Sequence, residues 1–157
     1  MSATRIDQGM AAAAAGLLRP PGELSGAERK ALRTRYRQLR VMLHTAGLAA
    51  TYAFVASKAG GSGALDRAYA EAAKGIRVRL TSLGLLTGVA APMDAREVLR
   101  QLGDLDGMRY ARASAEATSL VGWLSRLADA CYHEDGPQTG SDGAAGAVAD
   151  SGPAEQP

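Results

Sequence analysis

The sequence predicts an all-α protein: a single bundle of about six helices around a four-helix core, followed by an acidic tail. Three observations carry this reading. Ala and Leu dominate the apolar residues, while Phe and Trp occur once each. Such a composition is poor strand material and good helix material. Two Ser/Asp-x-x-Glu signatures mark helix starts at Ser25-Glu28 and Asp94-Glu97. Apolar residues then recur at spacings of three and four over long stretches, which places them on one face of a helix.

Taken in order, residues 4–18 form a first helix that Gly9 and Gly16 weaken, and Arg19-Pro20-Pro21-Gly22 breaks it. The second starts at the Ser25 cap and runs to about Ala46, with Leu32, Tyr36, Leu39, Leu43 and Ala46 in one stripe. Leu48–Lys58 is a third, short helix. It is apolar nearly all round and so is expected to be central. The glycines at 60, 61 and 63 end it. A fourth runs from about Ala64 to Leu86, with Ser62 as a possible cap. Leu65, Ala68, Ala72, Ile76, Leu80 and Leu83 share its inner face, and Gly75 offers a close helix crossing. Gly88–Pro92 is a turn, and a fifth helix covers about Ala95–Leu102, ended by Gly103. In the last helix Tyr110, Ala113, Ala117, Leu120, Leu124, Leu127 and Cys131 form a heptad-like seam. A seam inside one chain and a seam between two chains have the same sequence. The five other helices, which need a surface to pack on, favour the first. Past His133 the residues are mostly Gly, Ala, Ser, Asp, Pro and Gln, with Val148 the only large apolar side chain. This composition cannot offset the entropy of ordering. The expected division is a helical domain over 1–133 and a disordered tail over 134–157.

Net charge is +2, but its distribution is uneven. The tail carries Glu134, Asp135, Asp142, Asp150 and Glu155 with no Lys or Arg. The 18 basic residues therefore stand against 11 acids over 1–133, a net +7. Fifteen of the 18 are Arg, whose planar fork suits phosphate.

Catalytic constellations are missing from the pattern. His44 and His133 lie far apart with no metal-ligand spacing, and His44 suits a helix C-terminus. Cys131, the lone cysteine, allows no disulfide and occupies a seam position, where a small buried hydrophobe is expected. Asp104 and Asp106 suit a helix start. The glycines at 60–63 lack the Lys-Ser/Thr of a phosphate loop. No cofactor, metal or small-molecule substrate is expected. The Ala-rich N-terminal run is too short to span a bilayer and lacks a signal-peptide layout; a cytoplasmic location is expected.

The positive feature is a basic ridge. Arg29, Arg33, Arg37 and Arg40 are spaced 4, 4 and 3, with Lys30 nearby and only Glu28 as a neutralising acid on the same helix. At about 100° per residue the four span about 80°, centred about 90° from the Leu stripe. Such a row suits the tracking of a phosphate backbone. A solvated Arg face serving solubility has the same pattern, and the residues alone leave both readings open. Base-reading aromatics are lacking, so any nucleic-acid contact here is electrostatic and salt-sensitive.

The segment Leu39–Lys58, with Gly47-Leu48, Ala53-Phe54 and Ser57-Lys58, resembles the small all-helical subunit of type III-B (Cmr-type) CRISPR effector complexes. Leu120–Ala128, with Trp123-Leu124 and Arg126, resembles that family's C-terminal Trp-Leu helix. The resemblance covers about residues 4–132. It implies about six helices around a four-helix core and a non-catalytic role. Copies of the subunit are expected to stack into a short filament beside the backbone subunits that hold the guide RNA. Their positive face lines the guide–target channel, and cleavage and signalling chemistry belong to the backbone and large subunits. It implies structural roles for Gly47, Leu48, Phe54, Trp123 and Leu124. It favours RNA contact for Arg33, Arg37 and Arg40, alongside Arg29 and Lys30. Lys58 joins them, although a charge serving the helix dipole is an equal reading there. Ala46 departs from the family, where Asn is common. The acidic tail has no family counterpart and is read as a screen against non-specific RNA. Two competing classes stand beside this one: a self-associating adaptor built on the Tyr110–Cys131 seam, and a helix-turn-helix DNA regulator using the second and third helices. The apolar third helix is a poor recognition helix.

Overall fold

The computed structural model describes residues 2–88 and 94–133, with side chains from Gln8 onward. Six helices follow in order: α1 (Ser2–Leu17), α2 (Gly26–Thr45), α3 (Leu48–Lys58), α4 (Ala64–Ser82), α5 (Ala95–Gly103) and α6 (Gly107–Cys131), with a 3-10 turn at Pro21–Glu23. Among the described residues there is no strand. The expected tail over 134–157, and the Gly88–Pro92 turn apart from Gly88, lie outside the described residues.

The long helix α6 packs on α2, α1 and α4, which complete the four-helix core; α3 packs on α4, α5 and α2. Small side chains allow the close approach. Ala113, Ala117, Leu120, Leu124 and Ala128 of α6 are buried against Met10 and Ala14 of α1, Leu32, Tyr36, Leu39 and Leu43 of α2, and Ala72, Ile76 and Leu80 of α4. The seam is thus buried within one chain. Its C-terminal end departs from the heptad reading: Leu127 is half-buried and Cys131 is exposed, while Val121, Ser125, Ala128 and Tyr132 face inward. A straight helix drifts about 20° per heptad against a strict 3.5-residue repeat, so the buried face rotates away from the extrapolated positions.

Local chemistry fixes most helix ends. Ser25 caps α2 in a reciprocal box: Ser25 Oγ accepts from the Glu28 amide (3.1 Å), and the Ser25 amide donates to Glu28 Oε2 (2.8 Å). Ala46 is exposed at the α2 C-cap, outside the stripe to which its spacing assigns it. The α4 cap is Gly63, not Ser62; the Gly63 amide donates to Asp66 Oδ2 (3.1 Å). α4 stops at Ser82, short of Leu86. Gly84 takes φ 67° and reverses the chain, so that the Leu85 and Leu86 amides both donate to Leu80 O (2.9 and 3.3 Å). Those two leucines turn inward and are buried. Asp94 caps α5 through the Arg96 amide, and Glu97 turns away to Arg100 and Gln101, so the expected reciprocal box does not form. α1 is continuous through Gly9 and Gly16. Its Leu17 side chain lies against Gly75 of α4, where a Cβ would collide with it, which is the close crossing the sequence suggests. α3 buries Leu48, Thr51, Tyr52 and Val55, but Ala50 is exposed and Ala49 and Ala53 are half-buried, so it is less central than its composition implies.

α2 and α3 meet at Gly47, which takes φ 86° and ψ 174°. That backbone region is nearly closed to residues with a Cβ. Gly47 O accepts both the Thr51 amide (3.1 Å) and Thr51 Oγ1 (2.8 Å), while Tyr110 Oη of α6 accepts the Ala49 amide (3.2 Å). Gly47→Ala should therefore lower stability by about 1–3 kcal/mol, a fall in Tm of several degrees by thermal denaturation. An unchanged Tm would show that the turn relaxes without cost.

Candidate nucleic-acid interface

Burying the Leu32/Tyr36/Leu39/Leu43 stripe turns the Arg row of α2 to the side. Arg29 and Arg33 are half-buried; Lys30, Arg37 and Arg40 are exposed. The row is not a plain line of solvated cations. Asp129 of α6 lies against its middle: Arg33 Nε donates to Asp129 Oδ1 (3.2 Å), Arg37 Nη2 to the same oxygen (2.7 Å), and Arg37 Nε to Asp129 Oδ2 (3.3 Å). One carboxylate thus spans two guanidinium groups one helical turn apart. Burial pushes the Asp129 carboxyl up, but the hydrogen bonds and charges of Arg37 and Arg33 outweigh this and hold it below the ordinary aspartate range.

The Arg40 end of the ridge differs from its middle. Arg40 forms no hydrogen bond or ion pair among the described residues. Arg37 keeps its side chain 57% exposed despite the Asp129 contact. Lys58 belongs to another part of the surface: its Nζ lies 6.0 Å from the Phe54 ring centroid, and Phe54 meets Tyr69 of α4 edge-on at 5.8 Å. The structure brings Arg33 and Arg37 together on Asp129 and gives Lys58 a separate contact on the α3–α4 side.

Asp129 is not legible from the α2 spacing, because it lies on α6, 96 and 92 positions from Arg33 and Arg37. A signal was present. α6 carries just two acids, Glu116 and Asp129, and each meets an Arg of another helix. Glu116 Oε2 accepts from Arg79 Nη2 (2.9 Å) and Nε (3.0 Å) with both side chains largely shielded.

Other candidates resolve as structural. Asp106 caps α6 through the Arg109 amide (2.9 Å), and Asp104 accepts from Arg100 (2.7 Å). His44 and His133 are exposed, His44 in the last turn of α2. Cys131 is exposed, not buried, because the seam rotates past it. Among the described residues no group of three or more His, Cys, Asp or Glu could hold a metal ion, and no helix is long and apolar enough to cross a membrane. Packing of α3 on α4 and α5 covers one face, Leu48, Thr51, Tyr52 and Val55, of the helix that a helix-turn-helix would place in a groove.

Residues 7–131 match the family described as CRISPR-associated protein (Cas_Cmr5). The chain belongs to this family. No curated protein and no solved structure gives a significant match. Cmr5 is the small helical, non-catalytic subunit of the type III-B Cmr complex, and membership implies association with the other Cmr subunits and their guide RNA. The residues that carry the resemblance sit at packing points. Gly47 makes the α2–α3 turn, and Leu48 and Leu124 are buried. Phe54 stacks edge-on against Tyr69, and Trp123 is half-buried beneath Arg126, whose guanidinium lies 5.5 Å from the ring centroid.

The Asp129 clamp gives a signed pH dependence. A carboxyl held below its unfolded value of 3.8 stabilises the fold above that pH, and the contribution is lost as pH falls through the lower folded value. With its side chain 36% exposed, solvent screening limits the pair to about 1 kcal/mol. Asp129→Asn should thus lower Tm by about 2–4 °C at neutral pH. The difference from the parent chain should shrink below about pH 4. A difference that persisted unchanged in acid would assign the effect to packing.

Proposed function

We propose that this chain stacks with copies of itself, beside the backbone and large subunits of a type III-B complex, and that the α2 ridge faces the guide–target RNA channel. Arg29, Lys30, Arg33, Arg37 and Arg40 supply the positive field, with Lys58 contributing from the end of α3. The chain supports and screens charge along the RNA; it performs no bond chemistry. The observation that carries this reading is the division of α2: its apolar stripe is buried while Lys30, Arg37 and Arg40 on its flank remain exposed.

The clamp changes how the reading is tested. Reversing Arg33 or Arg37 would put a Glu against Asp129 and strain the α2–α6 contact. Arg40→Glu avoids that. In an assembled complex of unchanged subunit composition, this variant should weaken target-RNA capture. The slope of log affinity against log salt should become shallower by about 0.7, the order expected for one lost phosphate contact. Unchanged affinity and slope would remove the ridge from RNA binding.

A further inference from the structure

The two acids of α6 meet arginines of other helices in different ways. Glu116 takes one guanidinium, Arg79, with both side chains largely shielded, so charge is matched one for one. Asp129 takes two. Its Oδ1 accepts from Arg33 Nε (3.2 Å) and Arg37 Nη2 (2.7 Å), and its Oδ2 accepts from Arg37 Nε (3.3 Å). One negative charge against two positive ones leaves this point of the ridge net positive while the contact is made. The site is also open to solvent: the side chains of Arg33, Asp129 and Arg37 are 25%, 36% and 57% exposed. Arg40, the next cation of the row, lies about 4.5 Å further along the helix axis. The guanidinium groups of Arg33 and Arg37 converge on a single oxygen. Each has donors beyond those given to Asp129, so a first phosphate contact leaves the clamp intact. A phosphate oxygen that bridges both groups, however, must take the place of Oδ1. Carboxylate and phosphate offer the same paired acceptors to the Arg37 fork, so the exchange needs no new geometry.

We propose that Asp129 is a resident competitor at the bridging site formed by Arg33 and Arg37, and that a backbone phosphate of bound RNA displaces it. The inference rests on the RNA reading of the ridge and adds the residue that regulates it. An ion pair this exposed is weak and screened by salt, so it can be exchanged. Asp129 is nevertheless part of the same chain, and its carboxylate is held at an effective concentration that a lone phosphate group does not match. A strand anchored at Arg40 does match it, because its neighbouring phosphates are then tethered as well. The exchange leaves the bundle closed. Buried Tyr132, whose Oη donates to Arg19 O (2.8 Å), holds the end of α6 independently of Asp129. Small side chains pack the rest of α6 against α2. Occupancy of the ridge by RNA is thereby coupled to release of one α2–α6 contact, and the affinity of the ridge is set by an acid on a different helix.

The test compares the full chain with its Asp129→Ala variant in binding a short unstructured RNA, below the melting temperature of both. At about 50 mM salt the variant should bind about 3- to 10-fold tighter. Glu116→Gln removes the same charge at the Arg79 contact and should change affinity by less than about 2-fold. An equal gain from both variants would assign the effect to overall charge and overturn the proposal. Release of the clamp is read on the amide signals of residues 126–131. Adding RNA should shift them in the parent chain and shift them much less in Asp129→Ala, where no clamp remains to open. No shift in the parent, or equal shifts in both chains, would overturn the displacement even if the variant binds more tightly. Equal affinities of parent and Asp129→Ala, with Arg40→Glu still weakening RNA, would overturn the competition and leave the ridge reading standing. Affinity insensitive to Asp129→Ala and to Arg40→Glu alike would overturn both.

Discussion

The antiparallel pairing of α2 with α6 is the constraint on which the other elements depend. α6 presents Ala113, Ala117 and Ala128 on the same face as Leu120 and Leu124, all buried, so the backbones approach closely and α1 and α4 can close the core from the other sides. Polar contacts at both ends of the pair forbid sliding. Tyr110 serves the α3 amide at one end, and Asp129 and Tyr132 hold the other. Each polar contact is modest, about 1 kcal/mol. Their effect is on register: shifting α6 by one turn would lose all of them together and misplace the small residues.

That register also divides the basic row into two uses. Arg33 and Arg37 hold α6 through Asp129, and the Arg37 side chain stays mostly exposed. Arg40 lies beyond the clamp and has no such duty. A guanidinium carries five donors, so structural and nucleic-acid contacts are compatible on one side chain. Nevertheless, the net positive charge of the ridge is smaller than the count of α2 residues implies, because one carboxylate sits in its middle. An assembly that needs only charge screening along RNA is served by such a graded field, with Arg the side chain best suited to both tasks.

Much of the fold was legible because its determinants are local. The Ser25–Glu28 box, the Leu32-to-Leu43 stripe, the bounds Leu48–Lys58 and the glycine breaks follow from spacing and capping within a few residues. Misplaced details share one cause: the deciding partner is distant in sequence or in conformation. Helix α4 stops at Ser82 because Gly84 takes positive φ and sends Leu85 and Leu86 inward, while the pattern of leucines reads on to Leu86. Cys131 was assigned to the core by a 3.5-residue repeat that a straight helix does not keep. Asp129 was invisible as a ridge residue because its partners lie 92 and 96 positions away. The individual ridge cations were readable from their spacing; which of them are committed to the fold was not, since that depends on the α2–α6 register.

The proposed RNA-facing surface is the α2 face carrying Arg29, Lys30, Arg33, Arg37 and Arg40. The most direct measurement is ultraviolet cross-linking of target-bound complex, with the cross-linked peptides of this subunit identified by mass spectrometry. The account predicts adducts within residues 29–40, with further adducts near Lys58. Adducts confined to α1, α5 or the outer face of α4, with none on α2, would contradict it.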